Sequence, residues 1–378
     1  MKLYEYQAKE LFKEYGIPIP RGILFDADSF DEVAETLDYP VILKSQVLMG
    51  GRGKAGLIRF AENKEEAGKL VEELRSSSYR VERILAIGKN EFEVASELYL
   101  SVTWDPAAAT ALVIACAEGG VEIEELAKTA PEKIIREAVD VDRGLLPFQA
   151  SHLAYELGLE GATAKAAAKV ILNLYRVFDA YDAELAEINP LFITKTGEVI
   201  AGDGKLMIDD TTIAKHPGYA PGRDYYDSDA EYEAAQDGIP YLQFDGDISL
   251  MCAGAGLTTT VYDLINDEGG KVANYLEFGG PNYRRAQRAM ELCLKNESKV
   301  ILVVTFGTIA RADVMAQGLV DAIRELKPEI PIVTCIRGTN EEEAVEILKS
   351  AGLEPIFDTE EAVRKAVAIA GAGKGEQA

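Results

Sequence analysis

Histidine is nearly absent from this chain: 378 residues contain two, His152 and His216. Neither lies near a metal cluster or a nucleophile pair, so both read as surface or loop residues. Cysteine is almost as scarce. Cys116, Cys252, Cys293 and Cys335 form no C-x-x-C, and no pair has zinc-ligand spacing. That excludes a zinc ribbon and a disulfide framework, and a reducing, cytoplasmic compartment is expected. No apolar run reaches the ~20 residues that span a bilayer. The opening MKLYEYQAKELF is charged and amphipathic and lacks the apolar core of a signal peptide, so no membrane association is expected. Positive charge is also short: 39 Lys and Arg stand against 64 Asp and Glu, a net charge of −25. A binder of the nucleic-acid backbone needs the opposite balance, so no nucleic acid is expected. The acidity is spread along the chain, as a solubilising surface would have it.

What is present is enough for more than one core. With 378 residues, 48% of them hydrophobic, two or three domains are expected. EYQAKELFKEYG reads as a helix stopped by Gly16, Pro18 and Pro20. PVILKSQV reads as a strand, MGGRGKAG as a glycine-rich loop, and GLIRF as a strand before a helix at about 64–76. RVERILAI, ELYLSVTWD and ATALVIACA are strand-like, and 148–181 is helical. ELAEINPLFIT and EVIAGDGKLMI form two strands around Lys195-Thr196-Gly197. Residues 211–240 are polar and weakly periodic, and read as a linker. Beyond them strands (DISLMCAGA, KVANYLEF, KVILVVTF, PIVTCIR) alternate with helices, which indicates a doubly wound parallel sheet.

Three places could carry chemistry. The first is Lys44 with the loop Gly50-Gly51-Arg52-Gly53-Lys54-Ala55-Gly56. Glycines let backbone amides approach phosphate oxygens, and Arg52 and Lys54 add charge. The glycine spacing is wrong for a Walker A loop and no Ser or Thr follows Gly-Lys; the competing reading is a surface turn. The second is the hairpin. With a three-residue loop and Gly197 left-handed, Thr194 pairs with Glu198. That register puts Asn189 opposite Asp203 and Glu187 opposite Lys205, on one face. A carboxylate and an amide oxygen suit magnesium, which takes its other ligands from water and phosphate; the competing reading is a polar solvent face. Pro190 demands an edge position or a bulge. The third comprises the turns CAGAGLTTT and TFGTIARAD at the carboxyl edge of the second sheet. Thr308 is a natural N-cap whose helix amides could hold an anion; the competing reading is an ordinary turn.

The segments LYEYQAKELFKEYGIPIPRG, VILKSQVLMGGRGKAGLI, SELYL, EGGVEIEELA, LGLEG and EINPLFITKTGEVIAGDGKL together resemble the β subunit of ADP-forming succinyl-CoA synthetase, in the same order along the chain. The resemblance implies an α/β fold: an ATP-grasp domain over residues 1–237, with two subdomains, and a flavodoxin-like CoA-ligase domain over 238–378. It implies nucleotide contacts at Lys44, Gly51, Arg52, Gly53 and Glu97, and Mg2+ at Asn189 and Asp203. Glu187 matches a glutamate that meets a phosphohistidine. In the family that histidine belongs to an α subunit, which also binds CoA, in an αβ or α2β2 assembly. With only His152 and His216 here, the phosphate carrier is expected in trans.

The implied chemistry is phosphorylation of the partner's histidine by ATP, transfer to a carboxylate, and displacement of phosphate by CoA. Succinate is the default acid. Ala253, Gly254, Gly307, Thr308, Ile309 and Ala310 match the substrate and phosphate turns. The departures from the succinate pattern fall on those turns. AGAGL replaces N-G-A-G-L, so Ala253 stands for an asparagine. FGTI replaces F-G-G-I, and YLEFGGPN replaces F-L-D-I-G-G-G-A. In the first half, ILAIGKNEFEV replaces a run ending in L-V-E, with Ile87 or Lys89 nearest the missing glutamate. Ala253 and ANYLEFGG resemble the citrate-activating branch more than the succinate branch, which makes citrate the rival acid. A subunit that kept the fold and lost turnover is the third reading.

Overall fold

The computed structural model describes residues 1–89, 91–121, 123–307 and 310–371. The chain divides into two compact units, Met1–Ala220 and Pro221–Ala378. The first unit runs α1 (Glu5–Glu14), β1 (Gly22–Asp26), α2 (Phe30–Val33), β2 (Val41–Ser45), β3 (Ile58–Ala61), α3 (Lys64–Arg75), β4 (Arg83–Gly88), β5 (Val94–Asp105), β6 (Thr110–Cys116), α4 (Ile123–Thr129), β7 (Ile134–Val139), α5 (Pro147–Glu156), α6 (Gly161–Ala180), β8 (Ala183–Thr194), β9 (Val199–Ala201) and β10 (Lys205–Ile208). The second runs α7 (Asp229–Gln236), β11 (Tyr241–Gln243), β12 (Ile248–Ala253), α8 (Ala255–Asp267), β13 (Val272–Leu276), α9 (Ala286–Cys293), β14 (Val300–Gly307), α10 (Ala312–Leu326), β15 (Ile332–Gly338), α11 (Glu341–Ser350) and α12 (Thr359–Ala370).

Two antiparallel sheets make the first unit. The smaller has the order β1-β4-β2-β3. Helix α3 covers it, burying Ala67, Val71 and Leu74 against Phe25, Leu43 and Ile84. Those three positions follow the i, i+4, i+7 spacing of an amphipathic helix. The larger sheet has the order β10-β8-β5-β6-β7, with β9 also on β8. Helix α6 packs on β8 and β5 through Ala167, Ile171, Leu174 and Phe178. Each large side chain removed from water in this way contributes about 1.5–3 kcal/mol. The helical stretch read from 148 to 181 is two helices, broken at Leu157–Glu160.

The β8 hairpin has the register that its loop chemistry sets. Thr194 N donates to Glu198 O at 2.9 Å and Gly197 N to Thr194 O at 2.9 Å, with Gly197 at φ 84°. Leu191 faces Ala201 and Glu187 faces Lys205, so the same count carries Asn189 opposite Asp203. Between β9 and β10 the pairing lapses at Gly202–Gly204, where Gly202 N still donates to Pro190 O at 2.9 Å. On the other flank, Leu98 pairs with Leu191 and Leu100 with Ile188, so Asn189 and Pro190 together stand opposite the single residue Tyr99. This is the bulge that Pro190 requires: the position needs no N–H, and the extra residue re-aims its neighbour's side chain.

The second unit is a doubly wound sheet. Strands β13-β12-β14-β15 are parallel, and β11 adds an antiparallel edge on β13. Alternate strand residues feed two cores. Met251, Ile301, Val303 and Ile336 pack under α9, α10 and α11. Leu250, Cys252, Leu302, Val304 and Cys335 pack under α8 and α12. The crossovers go opposite ways from β12, which puts a topological switch point between β12 and β14. The stretch read as a linker is partly structured: α7 lies within it, and Ala230 and Ala234 are buried in the second unit's core. Ser228 caps α7 by accepting from Glu231 N at 3.1 Å, and Glu231 Oε2 reaches back to Ser228 N at 3.3 Å. All four cysteines are buried and free. Among the described residues no helix is long and apolar enough to cross a membrane.

Candidate functional site

In the first unit β2, the loop after it, the Gly202–Gly204 gap and α1 meet at a cluster of five charged side chains. Lys44, on β2, is buried. Its Nζ donates to Glu5 Oε1 at 2.8 Å and to Gly202 O at 3.0 Å, and lies 3.6 Å from Asp203 Oδ1. Arg52 reaches in from the glycine-rich loop. Its Nη2 is 2.8 Å from Glu5 Oε2 and donates to Asp203 Oδ1 at 2.9 Å and Oδ2 at 3.2 Å. Its Nη1 holds Ser45 O at 3.2 Å. Lys9, one turn after Glu5 on α1, pairs with Glu5 Oε1 at 2.7 Å and donates to Gly202 O at 2.9 Å.

The electrostatics divide the two carboxylates. Burial pushes the Glu5 carboxyl up, but Lys44, Lys9 and Arg52 together overcome it and hold the group well below the usual carboxylate range. Burial raises Asp203, and the Glu5 charge adds to that against Lys44 and Arg52. Burial, joined by the Lys44 charge, lowers the Lys9 ammonium to about 8. Burial would also lower Lys44, yet the pull of Glu5 and Asp203 outweighs it and keeps that ammonium charged. Three cations against two carboxylates leave the cluster one positive charge in excess.

The loop beside it is compact yet open above. Ala55 N donates to Gly51 O at 3.1 Å and Leu57 N to Arg52 O at 2.9 Å. Gly50, Gly51 and Gly53 have no atom within 4 Å of where a side chain would begin, so their backbone is accessible to an approaching phosphate. Lys44, Gly51, Arg52 and Gly53 thus gather at one place, with Asp203.

Asn189 is held by the EGGV segment. Gly120 N donates to its Oδ1 at 2.8 Å, and its Nδ2 donates to Val121 O at 3.0 Å. One lone pair of Oδ1 is left over. Asp203 is half-buried, and its side chain is 29% exposed where that of Glu5 is 1%. An amide oxygen and an accessible carboxylate across two strands fit magnesium, which brings its own waters and takes phosphate oxygens as further ligands. Among the described residues no three His, Cys, Asp or Glu gather to hold a metal unaided.

Glu187, two residues before Asn189 on the same face, accepts from Tyr99 Oη at 2.8 Å. Burial, with the Glu187 charge, raises that phenol, which stays protonated as the donor. Glu97 is exposed at the start of β5. Its carbonyl accepts from Gly119 N at 2.9 Å, so it lies beside the strap that holds Asn189. Lys89 packs its ammonium 3.9 Å from the centre of the Phe60 ring. His152 lies near Glu156 at 3.8 Å, and His216 contacts Asp182 at 3.1 Å; neither shares a partner with Lys44, Arg52 or Asp203.

Sequence reasoning missed Glu5 and Lys9. The available signal was their i, i+4 spacing on the face that also carries Ala8 and Phe12, both fully buried.

In the second unit Ala253 ends β12 and Gly254 precedes α8. Gly279 approaches them so closely that a Cβ there would meet Gly254 N at 2.8 Å. Gly307 ends β14, and its carbonyl accepts from Thr339 N at 2.9 Å. Ala310 follows, and Arg311, before α10, donates to Asp313 Oδ1 at 3.0 Å. Thr308 and Ile309 lie outside the described residues. Ala253, Gly254, Gly307 and Ala310 all belong to the carboxyl edge of the sheet, the edge at which doubly wound folds bind ligands.

Comparison with known proteins gives this arrangement a family. Residues 2–193 match the ATP-grasp domain and residues 251–369 match the CoA-ligase domain. The chain is 58% identical to the ADP-forming sulfoacetate-CoA ligase subunit SauC of Bilophila wadsworthia, covering 98% of this chain and 99% of that one. It is 41% identical to the succinate–CoA ligase [ADP-forming] subunit beta of Ignicoccus hospitalis, over 98% of this chain and 99% of that one. Among solved structures, ATP citrate lyase from Methanothrix soehngenii, in complex with citrate and coenzyme A, superposes with a TM-score of 0.74 at 20% identity, covering 97% of this chain and 99% of that chain. That last likeness is one of fold. The chain belongs to the ADP-forming CoA ligases, as a β-type subunit built from an ATP-grasp domain and a CoA-ligase domain.

Proposed function

We propose that this chain is the nucleotide-binding subunit of a ligase that joins sulfoacetate to CoA at the expense of ATP, forming ADP and phosphate. The observation that carries the choice of acid is the 58% identity, along almost the whole of both chains, to a sulfoacetate-CoA ligase subunit, against 41% to a succinate-CoA ligase subunit. The sequence departures from the succinate pattern weigh against succinate. Ala253 removes an amide side chain from the β12–α8 turn, and with it hydrogen bonds worth about 1 kcal/mol each to a carboxylate placed for them. Succinate is the second reading, since its ligases share both domains along their length. The citrate reading rests on Ala253 and ANYLEFGG and on a likeness of fold at 20% identity.

The nucleotide phosphates are assigned to Lys44, Arg52 and the amides of Gly51 and Gly53. Glu97 is assigned to the rim of that site. Asn189 and Asp203 would hold magnesium, which neutralises charge on the phosphate oxygens. Glu187, which accepts from Tyr99 Oη, is assigned to accept a hydrogen bond from a phosphate-carrying histidine. That histidine is assigned to a partner subunit, because His152 and His216 stand apart from the cluster. The turns at Ala253, Gly254, Gly307 and Ala310 are assigned to the acid and the phosphoryl group. The test is to co-produce the chain with its partner subunit and measure ADP release with ATP, Mg2+ and CoA. Sulfoacetate is expected to give a kcat/KM at least tenfold above succinate and citrate. Turnover with succinate but not sulfoacetate would move the assignment to succinate, and no acid-dependent turnover by a verified complex would refute it.

A further inference from the structure

We infer that Glu5 is a positioning residue of the nucleotide site: it acts through Lys44 and Arg52, holding both side chains where a phosphate can meet them. The inference rests on the proposed nucleotide reading and adds a residue to it.

Its basis is the convergence of three cations from three elements on one sealed carboxylate. Lys9 comes from α1, Lys44 from β2 and Arg52 from the loop, at 2.7, 2.8 and 2.8 Å. A carboxylate with a 1% exposed side chain needs a partner to be tolerated, but one would do, and apolar packing of similar volume is often as stable. Three partners exceed what burial asks for. Asp203 cannot be the permanent anchor, because it is the exposed carboxylate of the two and faces the open loop. Glu5 cannot leave, because its helix is tied down at both sides. Leu3 N donates to Leu206 O at 2.9 Å, and Tyr6 N donates to Gln46 Oε1 at 3.1 Å. Phe12 is wedged against Gly204, where a Cβ would come within 2.9 Å of its ring.

The consequence is preorganisation. Lysine and arginine side chains lose much rotamer freedom when a ligand fixes them. Here that loss is taken on folding, so less of it opposes binding. When a metal claims Asp203, the cluster of Glu5, Lys9, Lys44 and Arg52 keeps two net positive charges, and Lys44 and Arg52 carry them toward the phosphates.

The experiment uses the full chain with its partner subunit and measures ADP binding by titration calorimetry, with thermal unfolding in parallel. Glu5→Gln keeps the shape and removes the charge; Glu5→Asp keeps the charge and spoils the shape. Positioning by charge predicts that Glu5→Gln weakens ADP binding by tenfold or more, and that Glu5→Asp binds tighter than Glu5→Gln. In the double variant Glu5→Gln/Lys44→Met, the loss should fall short of the sum of the two single losses, because Glu5 acts in part through Lys44. Glu10→Gln, on the exposed face of the same helix, should change neither readout. A Glu5→Gln variant that melts lower but binds ADP like the wild type would overturn the inference, as would tighter binding by Gln than by Asp. A wild type that does not bind ADP would instead refute the nucleotide reading itself.

Discussion

Replacing Asp203 by asparagine should strengthen the binding of ADP when no metal is present. The cause lies in what Asp203 touches. Its carboxylate takes two hydrogen bonds from Arg52, at 2.9 and 3.2 Å, and lies 3.6 Å from the Lys44 ammonium. Those are the groups assigned to the phosphates, so without metal a phosphate must compete with Asp203 for them. A unit charge at ~4 Å interacts by about 4 kcal/mol at an effective dielectric of ~20. The side chain is 29% exposed, so solvent and salt reduce this to about 1–2 kcal/mol, or roughly 5–30-fold in affinity. Asp203→Asn removes the competitor and keeps the shape. The assay is calorimetric titration with ADP, first with a chelator and then with Mg2+. The wild type should bind weakly with chelator and much more tightly with Mg2+. The variant should bind 5–30-fold tighter than the wild type with chelator and gain little from Mg2+. If Asp203→Asn weakens binding under both conditions alike, Asp203 does not compete with phosphate and the reasoning fails.

Two further outcomes follow from the geometry. Glu5 is held below its ordinary value of 4.5 by Lys44, Lys9 and Arg52 despite burial, so its contribution to stability is complete above pH 4.5 and is lost as the pH falls toward its folded value. Glu5→Gln should therefore melt lower than the wild type at pH 7, and the gap should narrow below pH 4.5 in calorimetric scans; a constant gap would argue against the charged cluster. In the second unit, Gly338 has φ 121°, and a Cβ there would fall 1.9 Å from Gly307 O. Gly338→Ala should cost at least ~2 kcal/mol of stability, read from the urea midpoint, and a neutral result would mean that the β14 and β15 turns do not pack in this way.

Much of this was legible in the sequence wherever the determining chemistry is local. The three-residue loop with Gly197 fixes the hairpin, and counting from it places Asn189 against Asp203 and Glu187 against Lys205. Pro190 called for an interruption and stands in a bulge opposite Tyr99. Alternating strands and helices gave the second sheet because each segment carries its own period. Other features depend on partners far apart in the chain. Glu5 and Lys9 look like a solvent-exposed helical ion pair, since i, i+4 opposite charges usually are; only the arrival of Lys44, Arg52 and Gly202 seals them in. The strap that binds Asn189 through Gly120 and Val121 joins residues about seventy positions apart. Helix α7 was missed although Ser228 and Glu231 spell a capping box, because its short alanine-containing face is weakly periodic. Edge strand β11 is three residues long, too short to show alternation.

Hydrogen–deuterium exchange of the complete assembly, with and without Mg2+ and ADP, tests most directly whether the charged cluster of the first unit is the nucleotide site. Binding is expected to slow exchange most in peptides covering residues 44–57 and 199–206, and in the strap at 119–121, with little change in β12–α8. Unchanged exchange in all three segments on saturation with Mg2+ and ADP would contradict the account.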